Sequence, residues 1–143
     1  MPYIKVWIHF VWATKNRAPV LTDQYRQLLF QHMKENARKK GIFLDRVNGY
    51  RDHVHCLVSL GSADTIEKTA QLLKGESSFW YNNKSGFNAE RLEWQDGYFA
   101  VSLSVSALEK VRAYIDNQES HHQRKAFAEE YEEFMERFGF LDQ

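Results

Sequence analysis

An α+β fold built on one antiparallel sheet is predicted for this chain by three observations. Strand-like and helix-like stretches alternate in the order strand, helix, strand, strand, helix, strand. The two middle strands are separated by only a few residues, which suits antiparallel neighbours. Two further helical stretches follow the last strand, with an apolar stripe that must be buried somewhere.

Each element has its own signal. From Tyr3 to Ala13, Ile4, Val6, Ile8, Phe10 and Trp12 alternate with Tyr3, Lys5, Trp7, His9 and Val11. A period of two rich in β-branched and aromatic residues predicts the first strand. Thr22 or Asp23 can cap a first helix carrying Leu28, Leu29, His32, Met33 and Ala37, and Gly41 supplies its stop. Ile42 to Val47 and His53 to Leu60 read as two strands, with Asn48-Gly49 placed to form the hairpin turn. Asp64 with Glu67 resembles a capping box for a second helix that carries Ile66, Ala70 and Leu73 and runs to about Tyr81. Residues 82 to 96 read as a loop, and Phe99, Val101, Leu103 and Val105 restore strand alternation. Ser106 can cap a third helix with Leu108, Val111 and Ile115, and Phe127, Tyr131, Phe134 and Phe138 mark an amphipathic fourth. The order β-α-β-β-α-β is the split βαβ, or ferredoxin-like, arrangement, here with two additional C-terminal helices. That fold hosts many functions and decides none.

Composition narrows the setting. At 143 residues and 43% hydrophobic content, one domain spanning 1–143 is expected. The single cysteine, Cys56, excludes an internal disulfide framework, and the start Met1-Pro2-Tyr3 lacks a signal-peptide layout, so a soluble, cytoplasmic protein is expected. No stretch approaches the roughly 20 apolar residues of a membrane span. Net charge is zero, but residues 1 to 112 carry 16 Lys/Arg against 11 Asp/Glu, and residues 113 to 143 carry 3 against 8. A basic body could meet phosphates, with Glu129, Glu130, Glu132, Glu133 and Glu136 forming a solvated helix face.

The chemistry concentrates in two places. His53 and His55 are two apart on a strand, so both imidazoles project from one face, while Val54, Cys56 and Val58 point to the other. Such a pair can begin a divalent-cation site but needs further ligands. Tyr114 and Gln118 are four apart on a helix and share a face, offering a nucleophile and a neutral oxygen ligand. Alone, His-x-His on a strand is more often structural, and Tyr114 is an ordinary edge-of-core aromatic.

Together the segments Asp52-His53-Val54-His55-Cys56-Leu57-Val58-Ser59 and Tyr114-Ile115-Asp116-Asn117-Gln118 resemble the HUH-type single-tyrosine transposases of the insertion-sequence 200/605 family. Residues 13–21, 72–78 and 94–98 agree with that family's first strand, second helix and approach to the last strand. The resemblance implies a DNA transposase that cleaves and rejoins single-stranded DNA through a covalent 5′-phosphotyrosine intermediate. It implies Tyr114 as nucleophile, His53 and His55 as catalytic histidines, and His53, His55 and Gln118 as ligands of Mg²⁺ or Mn²⁺. It also implies DNA partners with hairpin ends and a homodimer with shared active sites. Two alternatives use the same residues: a host-adopted nicking enzyme of the same chemistry, and a non-catalytic nucleic-acid-binding module. A two-histidine phosphodiesterase would need a second His-x-Ser/Thr motif, which the sequence lacks.

Other residues are candidates for support. Asp52 can orient the imidazole of His53. Lys110 lies one helical turn before Tyr114 and can favour its phenolate, and His121 and His122 share that face if the helix continues. Lys15, Arg17, Lys74 and Lys84 are candidate phosphate contacts. Trp80, Tyr81 and Tyr98 could stack on bases, though their spacing suits the core equally. Cys56 is expected in the core rather than on a metal.

Overall fold

A computed structural model describes residues 2–84, 86–87, 89–122 and 125–140. Its four strands, β1 (Trp7–Ala13), β2 (Phe43–Gly49), β3 (His53–Ser59) and β4 (Phe99–Leu103), form one sheet in the order β2-β3-β1-β4, with every pairing antiparallel. Helix α1 (Asp23–Lys39) connects β1 to β2, and α2 (Ile66–Asn83) connects β3 to β4. This is the predicted split βαβ arrangement. Three helices follow: α3 (Leu108–Asp116), the short α4 (Gln118–His122) and α5 (Phe127–Arg137). No helix among the described residues is long and apolar enough to cross a membrane.

The two faces of the sheet follow from side-chain alternation. Ile8, Phe10 and Trp12 of β1 and Val54, Cys56 and Val58 of β3 form the main core with Leu29, Phe30 and Met33 of α1 and Ala70 and Leu73 of α2. The opposite face presents Trp7, His9, Val11 and Ala13 from β1 and His53, His55 and Leu57 from β3, all fully or nearly buried. Leu108 and Ile115 of α3 cover Trp7 and Leu57, and Phe127 of α5 covers Val11, Ala13 and Phe99. The histidine pair is thereby sealed under the C-terminal helices.

Several boundaries differ from the sequence expectation, each for a physical reason. Strand β1 starts at Trp7 rather than Tyr3, because Trp7 already stands opposite the last residues of both neighbours, Ser59 and Leu103. Strand β4 ends at Leu103, and Val105 falls in the 3₁₀ turn Val105–Ala107 that redirects the chain into α3. That helix has Ala107 at its N-cap with no side-chain cap, so Ser106 does not cap it. The cap of α2 is Thr65, whose hydroxyl accepts from the Lys68 amide at 3.1 Å, while Asp64 accepts from the Gly61 amide.

Asn48 and Gly49 do not form the hairpin turn. Both are paired in β2, opposite His55 and Val54, and residues 50–52 make the turn. A Cβ at position 49 would lie 2.1 Å from the His53 carbonyl oxygen and 2.9 Å from the Val54 Cα, so glycine is required by close approach. The Asn48 side chain instead donates to the Ile115 and Asp116 carbonyls at 2.9 and 3.3 Å, satisfying the end of α3. A bulge between Leu44 and Arg46 turns Asp45 toward the Arg112 guanidinium, which it accepts in a bidentate pair at 2.8 and 3.2 Å. Strand β2 therefore docks α3 and sets where Tyr114 sits.

Candidate active site

Five of the six histidines meet beneath α3, α4 and α5. His53 and His55 project from β3, and His9 from β1 lies beside them, its Nε2 2.9 Å from His55 Nδ1. Helix α3 ends at Asp116, with Asn117 as its C-cap, and the chain restarts as α4, placing buried Gln118 over His53 with Oε1 3.0 Å from His53 Nε2. The expected continuous helix is thus broken, and the break brings His121 and His122 over the site. Arg26, buried in α1, fixes this segment by donating to Glu119 and to the Leu21 carbonyl.

Tyr114 stands with its ring centroid 5.5 Å from that of His55 and 5.5 Å from that of His121. The Gln118 amide donates to the Tyr114 carbonyl at 3.3 Å, the i, i+4 relation expected from the sequence. Tyr114, His53, His55 and Gln118 therefore come together within one chain.

Glu130 of α5 is the residue the sequence reading misplaced. Rather than a solvated position, it is 2% exposed, with Oε1 2.9 Å from His55 Nε2 and Oε2 2.8 Å from both His121 Nε2 and His122 Nε2. Glu129, Glu132, Glu133 and Glu136 do face solvent. The signal was present: Glu130 falls three residues after Phe127 and four before Phe134, inside the apolar stripe, where an acid is out of place. His9 was likewise legible as a polar interruption in the buried face of the first strand.

Electrostatics follow from enclosure. Burial, reinforced by the neighbouring His55, lowers the His9 pKa to about 3. Burial also lowers that of His55 to about 4, partly offset by Glu130. For Glu130 burial works the other way, but the contacts with His122 and His55 outweigh it and hold the carboxyl well below the usual range. Tyr114 is pushed well above its ordinary value, first by burial and then by the Glu130 charge, with a smaller opposing contribution from Gln118.

Donor chemistry suits a cation. Asp52 Oδ1 lies 2.9 Å from His53 Nδ1, as expected of an orienting carboxylate, so the Nδ1–H donates and the Nε2 lone pair faces Gln118. Because Gln118 gives its NH₂ to Tyr114, its oxygen faces that lone pair at 3.0 Å. In the neutral ring, Nε2 and the Gln118 oxygen are both acceptors, and a proton or a metal cation between them would bridge the two. His53, His55, His122 and Glu130 form a group whose ligand atoms all lie within 4.8 Å of one another and could hold a divalent metal.

The candidate basic contacts have separate fates. Lys74 gives its ammonium to the carbonyls of Gln95, Asp96 and Gly97 at 2.6, 3.0 and 3.2 Å, which uses its three protons to hold the loop before β4. This accounts for Lys74 without a phosphate. Lys15 is exposed beside Glu93 at 3.6 Å, and Lys84 lies over the Trp80 ring. Arg17, with φ 54°, places its guanidinium over the Phe127 and Tyr131 rings at 5.8 and 5.7 Å and so braces α5. Lys110 is exposed and, with His9, Tyr114, Phe134 and Arg137, borders a cavity of about 390 Å³ next to the tyrosine. Trp80 stacks on His32 at 4.2 Å, Tyr81 donates to the Val20 carbonyl and Tyr98 lies near Phe10, so all three have packing roles. Cys56 is fully buried on the core face, away from the histidines.

The chain resembles known proteins in both sequence and fold. The sequence model of the family described as "Transposase IS200 like" matches residues 3–118. A candidate transposase from Deinococcus radiodurans R1 has a similar structure, with 25% identity and a TM-score of 0.61 over 82% of this chain and 93% of its own. A REP-associated tyrosine transposase bound to a REP hairpin shares the fold at 20% identity and a TM-score of 0.58, over 85% of this chain and 72% of its own. No curated protein matches at a significant level. With most of its length, including His53, His55, Tyr114 and Gln118, inside the matched region, the chain belongs to the IS200-like transposase family.

Proposed function

We propose that this transposase cleaves and rejoins single-stranded DNA carrying hairpin ends, with Tyr114 as the attacking residue. The phenolic oxygen forms a bond to the scissile phosphorus and the bond to the 3′-oxygen breaks. The phenol gives up its proton and the departing 3′-oxygen gains one, leaving a 5′-phosphotyrosine linkage. Because the phosphodiester count is unchanged, the reverse attack by a 3′-hydroxyl rejoins DNA without an energy source. The observation that carries this reading is the placement of Tyr114 beside His55 and Gln118 in one chain.

The residues divide the work. His53, His55 and Gln118 would hold Mg²⁺ or Mn²⁺. When bound, such an ion neutralises charge on the non-bridging phosphate oxygens. Asp52 fixes the His53 ring and His9 that of His55. A half-buried neutral phenol is a weak nucleophile, so whatever offsets the Glu130 charge also makes Tyr114 easier to deprotonate. The hairpin partner is supported by the structural likeness to the hairpin-bound transposase, and the basic excess of residues 1–112 supplies a phosphate-facing body. The expected homodimer with shared active sites belongs to the same proposal.

Wild-type protein incubated with Mn²⁺ and hairpin-ended single-stranded DNA should give a protein–DNA adduct that survives denaturation. Tyr114→Phe should remove the adduct completely while leaving hairpin binding intact. Cleavage by the phenylalanine variant would refute the assignment.

A further inference from the structure

We propose that Glu130 and His122 are direct ligands of the metal, completing with His53, His55 and Gln118 a mixed nitrogen–oxygen site for a first-row transition ion such as Mn²⁺ rather than Mg²⁺. This rests on the metal-assisted reading above and extends it. The neutral His-His-Gln set gains an anionic oxygen and a third imidazole, both contributed by the C-terminal segment.

His122 Nδ1 lies 2.7 Å from the Lys125 carbonyl, which can only accept, so Nδ1 carries the proton. In the neutral ring the Nε2 lone pair then faces a Glu130 oxygen at 2.8 Å. Lone pair against carboxylate is repulsive unless a proton or a metal cation lies between them. His55 Nε2 meets the other Glu130 oxygen at 2.9 Å, and in both contacts the ring plane is poorly aligned with the carboxylate. Both nitrogens and both oxygens are buried, and at these short distances none of them is paired by a well-directed hydrogen bond. Such atoms are close because they aim at one region, not at one another.

The outer ring nitrogens support the same conclusion. Each Nδ1 is engaged outside the group: His53 with Asp52, His55 with His9, and His122 with the Lys125 carbonyl. This is how metal-bound imidazoles are held, with one nitrogen anchored and the other free to ligate. Donor atoms around a single ion at ~2.1 Å are at most about 4.2 Å apart. The four here lie within 4.8 Å, so small side-chain adjustments close the site. Three imidazoles with a carboxylate suit first-row transition ions, which accept mixed nitrogen and oxygen ligands, whereas Mg²⁺ favours oxygen ligands and retained water.

Mn²⁺ titrated into chelator-stripped protein by calorimetry tests this, with circular dichroism checking that variants fold. Glu130→Gln, which keeps the side-chain volume, and His122→Ala should each weaken Mn²⁺ binding by about tenfold or more. Wild-type protein should bind Mn²⁺ more tightly than Mg²⁺, and pulsed electron paramagnetic resonance of the Mn²⁺ protein should register three imidazole ligands. Two imidazoles, or full affinity in both variants while His53→Ala loses it, overturns this proposal alone and leaves the His-His-Gln reading standing. Absence of saturable Mn²⁺ binding by the wild type overturns both. The imidazole count uses unmodified protein, so it decides the matter even if a variant does not fold.

Discussion

Single residues in this protein take their meaning from which side of the sheet they occupy. Cys56 lies between His55 and Leu57 but points into the main core, where burial pushes its thiol far above the ordinary range. It should remain unreactive toward a thiol reagent in native protein and react fully in denaturant; rapid native labelling would contradict the assigned face. His9, on the opposite side, meets His55 at Nδ1 and is enclosed with it. Replacing His9 by alanine should weaken Mn²⁺ binding roughly 10- to 100-fold, the usual cost of losing a residue that orients a ligand. A Tyr114→Phe protein should keep that affinity, which separates metal binding from nucleophilic attack in one titration series.

At the scale of elements, β2 has the most consequence for the site although it contributes none of the candidate ligands. It carries Gly49, which lets the strand approach the His53 backbone, and Asn48 and Asp45, which hold α3 in place. Gly49→Ala meets backbone atoms rather than a flexible side chain. It should cost about 1–3 kcal/mol in urea unfolding and lower adduct yield, because relieving the clash moves His53. Asn48→Ala removes two hydrogen bonds to carbonyls at the end of α3 and should cost about 1–2 kcal/mol. It should reduce the adduct-forming rate more than hairpin affinity, since the displaced groups are Tyr114 and Gln118. Equal stability of Asn48→Ala and wild type would show that the Asp45–Arg112 pair and the apolar contacts to Trp7 and Leu57 hold α3 without Asn48.

For the whole molecule, the fold buries titratable groups under its second layer of helices, and stability depends on pH accordingly. His55 and His9 have folded pKa values of about 4 and about 3, below the ordinary 6.5. A lowered histidine pKa means the unfolded chain binds protons first. Their contribution is therefore complete above about pH 6.5 and is lost as pH falls toward 4 and then 3. Glu130, held below its ordinary 4.5, adds a further loss in the same direction below about that pH. In the presence of chelator the melting temperature should fall steadily from pH 7 to pH 4.5, and His9→Ala should flatten the curve. An invariant melting temperature over that interval would count against the buried histidine cluster.

The sequence by itself determined the order of elements, the face shared by His53 and His55, and the pairing of Tyr114 with Gln118, because these depend on local periods of two and of 3.6 residues. The exact turn at residues 50–52 was hidden because Asn48-Gly49 is as good a turn former in the abstract as it is a docking strand here. Only the tertiary structure placed Tyr114 against its own chain's histidines, since that depends on how β2 holds α3 across a gap of more than sixty residues. Only packing, too, turned Glu130 inward: helical spacing shows which residues share a stripe, but not what the stripe covers. Laid over a sheet face that already carries three imidazoles, an acid in that stripe becomes part of the site.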